Sequence, residues 1–223
     1  FHTISQTIKF RTVAPIINRT RRTLLAEAKA VINLYETRGF IISRVEADRE
    51  FGCIVNDLLP IHINIADADD HVHEVERSIR TVKERTRCTI QGLPFRGIPK
   101  MMMQAAIEDA HKGLNQFPAK GGVSDIMSPL TIMTGTLSPD YHDLKIEFGA
   151  YAQVFEENSP SNTMRTRTTG AIAMTATGNA QGGYYFYPLP QEKSCRGNNG
   201  MNCQCPTASS LQSKPWRKNS CQE

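Results

Sequence analysis

At 223 residues, 39% apolar and 22% charged, the chain is long enough for one sizeable core and a small second domain. A net charge of +4 and a pI near 8.8 allow nucleic acid as a partner without requiring it. No apolar run reaches membrane-spanning length and no signal peptide is evident. Only Cys53 and Cys88 lie in well-patterned sequence, so a reducing compartment, nuclear or cytoplasmic, is expected rather than a secreted disulfide framework.

Residues 1–17 alternate Ile4, Ile8, Phe10 and Val13 with polar side chains, which predicts a hairpin turning near Gln6 and Thr7. Arg19, Arg21 and Arg22 lead into a predicted helix of about 18 residues. Its apolar face is Leu24, Leu25, Ala28, Val31, Ile32 and Tyr35, and Gly39 is its natural stop. A strand is predicted over 40–45, delivering Glu46, Asp48 and Glu50 at its carboxyl end, followed by a helical turn over 54–59. Ile61, Ile63 and Ile65 alternate as a short strand.

The stretch 71–93, HVHEVERSIRTVKERTRCTIQGL, has the period of a helix with two stripes. Val72, Val75, Ile79, Val82 and Thr86 form an apolar arc. Glu76, Arg80, Lys83 and Arg87 form a second column beside it, with Asp69 and Asp70 ahead of the positive helix end. Such a pattern also suits a plain solvated helix. The excess of Arg77, Arg80, Lys83, Arg85 and Arg87 over Glu74, Glu76 and Glu84 favours a phosphate backbone instead.

Beyond Pro94 and Pro99, a methionine-rich helix over 100–115 places Met102, Met103, Ala106, Ala110 and Leu114 on one side, as core filler. From Ile146 the pattern becomes all-β: 149–156, 170–177 and 182–189 read as short strands of a small barrel. A loop at 163–169 carries Arg165 and Arg167 and no acid, and periodicity is lost after Pro190.

Asp48 at a strand end and Glu76 on a helix are the acids placed to hold a divalent metal. Paired ions of that kind clamp the attacking and leaving oxygens of a phosphodiester. Glu46, Glu50 and Asp57 are rival ligands. His71 and His73 with Glu76 suggest zinc only weakly, because no second pair of ligands follows at suitable spacing. Phosphate-binding glycine loops, nucleophile elbows and Cys–His dyads are missing.

Several phrases resemble the integrase region of copia-type retrotransposon Pol polyproteins. They are EADREF (46–51), HVHEVERSIRTVKERTR (71–87), LPF (93–95), LNQFPAKGGVSDIMSPLTIMTG (114–135), LKIEFGAYAQVFE (144–156) and TRTTGAIAMTATGNAQGGYYF (166–186). The resemblance implies an α/β fold: an RNase H-like integrase core over 1–115 lacking its first strand, then a linker over 116–143. A small SH3-like β-barrel over 144–190 would complete it.

In such integrases three carboxylates bind two Mg²⁺ or Mn²⁺ ions and join DNA ends. The motifs carry the second onto Asp48 and the third onto Glu76, just before Arg77 and 28 positions along the chain. The first acid in this chain is Glu27, on the first helix, so no residue takes the first role and a chain inactive in strand transfer is expected.

DNA is the implied partner, met by Arg77, Arg80, Lys83, Arg87, Arg165 and Arg167, with self-association allowed and no membrane or small-molecule cofactor expected. A co-opted, non-catalytic DNA-binding module and a stand-alone nuclease of the same fold are the alternatives. The tail over 191–223 is encodable so that a shifted frame resembles a continuation of the same family, which makes its cysteines incidental.

Overall fold

Alternation at the start of the chain does produce a hairpin: β1 (His2–Ile4) pairs antiparallel with β2 (Arg11–Val13), His2 lying opposite Val13 and Ile4 opposite Arg11. Its turn closes with the Ser5 N–H on the Phe10 carbonyl at 2.9 Å, and Lys9 adopts a positive φ of 62°. The computed structural model describes residues 1–66, 73–136, 139–155, 168–179 and 182–189. The expectations for His71, Arg165, Arg167 and the tail 191–223 lie outside those residues.

α1 (Arg21–Glu36) buries Leu24 and Tyr35 and half-buries Leu25, Ala28, Val31 and Ile32, the face its spacing predicts. It ends where the Phe40 N–H returns to the Tyr35 carbonyl at 3.0 Å, a reversal that uses the φ of +81° at Gly39. The next strand, β3 (Arg44–Ala47), starts later than predicted. Phe40 and Ile42 pack instead with Ile8, Phe10, Tyr35 and Met133. β3 runs parallel to β4 (His62–Ile65), Arg44 opposite His62 and Ala47 opposite Ile65.

A 3₁₀ helix, Arg49–Leu58, makes the crossover between these strands and drives Ile54, 1% exposed, between Leu24 and Leu58. Burying such a side chain stabilises the fold by about 1.5–3 kcal/mol. α2 (His73–Gln91) follows, then α3 (Lys100–Gln116). The stretch 116–143, expected as a linker, contains α4 (Pro129–Thr134). Ser128 caps α4 by accepting the Thr131 N–H at 3.1 Å, and Met133 enters the core of Ile8, Phe10 and Tyr35.

Two compact units result. One comprises 1–92 and 110–139, the other 93–109 and 140–223, so α3 contributes to both. In the second unit β6 (Thr168–Ala176) is the central strand of an antiparallel sheet, flanked by β5 (Tyr151–Phe155) and β7 (Tyr184–Pro188). Ala171 to Ala176 are all buried, as a central strand requires, and Ile172 and Met174 pack on Met102 and Ala105 of α3. Met102 is core filler as expected, whereas Met103 is exposed.

The chain is therefore mixed α/β with small sheets. Among the described residues β5, β6 and β7 form an open sheet and do not close into the expected barrel. No helix among them is long and apolar enough to cross a membrane.

Candidate nucleic-acid interface

α2 forms because its apolar residues recur at three and four positions, and the burial follows that rhythm. Ser78, Val82 and Thr86 are buried, and Val75 and Ile79 half-buried. The opposite arc carries Glu76, Arg77, Arg80, Lys83, Glu84, Arg85 and Arg87, all exposed. Acids do neutralise part of this charge. Arg80 Nε meets Glu84 Oε1 at 3.1 Å on the following turn, with both side chains largely in solvent. Glu74 is drawn away to Lys9 of the hairpin turn. Arg77, Lys83 and Arg87 have no ion-pair partner among the described residues. Three unpaired cations on one exposed arc can each neutralise a phosphate.

Asp48 follows the last residue of β3 and precedes the 3₁₀ helix, where the Phe51 N–H binds its carbonyl at 2.9 Å. Its carboxylate is exposed, and so is that of Glu76. Asp48 lines a cavity beside β3 whose wall also includes Glu74, Val75 and Ile79, and Glu76 is not part of that wall. Among the described residues no three His, Cys, Asp or Glu side chains gather as a metal site would need. Of the rival acids, Glu46 pairs with Arg44, Glu50 with Arg19, and Asp57 binds Arg21 through both oxygens at 2.8–2.9 Å. His73 is exposed, and Cys53 and Cys88 are free thiols.

Behind the basic arc lies a polar cluster that the periodicity gave little sign of. Arg11 Nε donates to Ser78 Oγ at 3.1 Å, leaving the Ser78 hydroxyl to donate to His2 Nε2 at 3.0 Å. His2 Nδ1 then carries its proton toward His111 Nε2, 2.8 Å away on α3. Burial, reinforced by His111 and Arg11, pushes the His2 pKa down to about 4. Burial likewise lowers the Arg11 pKa, with Arg85 adding to the effect. The cluster ties the hairpin to α2 and α3 and so fixes the helix that displays the cations. The one sequence signal for it was Ser78, a polar residue inside an apolar stripe.

No known family model matches the chain, and no curated protein matches it.

Proposed function

We propose that this chain is a DNA-binding fragment of a copia-type retrotransposon integrase that grips the phosphate backbone without reading sequence. The observation that carries the reading is the exposed arc of α2, where Arg77, Lys83 and Arg87 have no ion-pair partner among the described residues and stand beside Arg80. Hairpin, helix, parallel strand pair and charged helix follow one another in the order of an RNase H-like core, and Asp48 stands at the carboxyl end of β3. The sheet of β5, β6 and β7 is the counterpart of the SH3-like domain of such enzymes, and Arg165 and Arg167 are further phosphate contacts in this reading. The compartment is nuclear or cytoplasmic, where DNA intermediates are met.

Asp48 and Glu76 are the carboxylates this chain contributes toward Mg²⁺ or Mn²⁺, which in the parent enzyme polarises the phosphodiester being exchanged. Two exposed carboxylates do not by themselves make a two-metal site. In this reading the arc of α2 binds DNA, and joining DNA ends would require a further carboxylate beside Asp48 and Glu76.

Titrating a fluorescent 20-base-pair duplex at several salt concentrations tests the reading. Replacing Arg80 and Lys83 together by Ala should flatten the dependence of log K on log salt by about one to two units, at about 0.9 per phosphate contact. Lys83 carries more of that change than Arg80, which Glu84 already engages. An affinity and a salt slope unchanged in the double variant would reduce the arc to a solvated face.

A further inference from the structure

We infer that the loop between α3 and α4 is a self-association surface, covered by a second copy of this chain across a two-fold axis. Phe117, Val123, Ile126 and Met127 fall within this one loop and are 49%, 62%, 89% and 50% exposed. For residues of this size that amounts to roughly 400 Å² of apolar surface. Patches of such extent on a single chain mark contact sites, whereas apolar residues scattered singly do not.

The extent suits a dimer. A standard interface takes about 800 Å² from each partner, and somewhat more than half of it is apolar. The loop by itself supplies nearly that apolar share. The surface is also separate from α2 and its cations, so it stands whether or not the chain binds DNA.

The loop is held at both ends. The Gly122 N–H binds the Ala119 carbonyl at 3.0 Å, and a Cβ at Gly122 would lie 3.6 Å from Lys9 Cγ, so the chain rests on the turn of the β1–β2 hairpin. That turn is the end of the hairpin away from Phe1 and Ala14. Ser124 Oγ accepts the N–H groups of Ile126 and Met127 at 3.2 and 3.0 Å. Ser128, 1% exposed, anchors the far end as the cap of α4. A backbone fixed in advance has little freedom left to lose on contact, which favours association.

Charge selects the occupant. The charged residues of the loop are Lys120 and Asp125, both exposed and without an ion-pair partner among the described residues. One cation and one acid give no net attraction to a phosphate backbone or an anionic lipid surface. They do complement a copy of themselves. Under a two-fold axis Lys120 of each chain meets Asp125 of the other, forming two reciprocal ion pairs. Val123, between the two in sequence, then stands near the axis with Ile126 close by, and the apolar residues cover their own counterparts.

Analytical ultracentrifugation of the full chain tests the assignment. The natural chain, 24.9 kDa, should form a reversible dimer of about twice that mass as its concentration rises through the micromolar range. Lys120→Asp and Asp125→Lys should each weaken the dimer about tenfold or more, since like charges then meet twice. Ile126→Asp should weaken it by at least as much, by placing a charge in the apolar centre. All three residues are exposed, so these replacements leave the fold in place. Mixing the Lys120→Asp chain with the Asp125→Lys chain should restore the dimer, because every cation again meets an acid. An ion pair within one chain gives no such rescue. A chain that stays monomeric to about 0.5 mM overturns the assignment. So does a dimer indifferent to Ile126→Asp, indifferent to the charge reversals, or not restored by mixing.

Discussion

Lowering the pH from 7 to 5 should loosen the hairpin from its helices through His2. In the folded chain burial and the neighbouring His111 and Arg11 hold the His2 pKa at about 4, against about 6.5 for an unfolded histidine. Between those values the unfolded chain binds the proton and the folded chain does not, so stability falls as pH falls through this window. The full difference corresponds to about 3 kcal/mol, and about 2 kcal/mol of it is lost already by pH 5. Protonation also forces a second N–H onto His2 Nε2, which now accepts from Ser78 at 3.0 Å. Urea unfolding at the two pH values, for the natural chain and for His2→Leu, isolates the effect from carboxylates common to both. The natural chain should lose about 2 kcal/mol more than the variant over the interval, and an NMR titration should place the His2 ring near pH 4. A ring that titrates near 6.5, or equal losses in both proteins, would refute the reasoning.

Two further perturbations address the first unit. Ile54→Ala should cost about 2–5 kcal/mol in chemical denaturation, because Ile54 is 1% exposed between Leu24 and Leu58 and its loss leaves a cavity. A loss below about 1 kcal/mol would show that the 3₁₀ helix is not anchored there. Asn115→Ala should cost about 2–3 kcal/mol, because Asn115 accepts the Arg11 N–H at 2.9 Å and donates to the Arg11 carbonyl at 2.8 Å. Hydrogen exchange at the Arg11 amide should rise in that variant, and an amide as protected as before would mean the side chain is replaceable by water.

Local order was legible in the sequence wherever one periodicity ran long enough to dominate. The hairpin, α1 with Gly39 behind it, the buried arc of α2 and the strands of the second unit all follow from the spacing of apolar residues. That spacing decides which face leaves water. Exposure of the cations on α2 was readable for the same reason, since a charge opposite an apolar arc has nowhere else to go.

What depended on sequence separation was not readable. β3 starts at Arg44 because Phe40 and Ile42 are claimed by Met133, some 90 positions away, in a stretch expected only to link domains. Nothing local marks His2, Ser78 and His111 as neighbours, since three different elements must pack before their side chains come within 3 Å. The pairing of β3 with β4 is invisible to any pattern of side chains, because pairing is a property of backbones brought side by side. Alternation in a single strand states which face is apolar; only the assembled sheets decide which strands become neighbours.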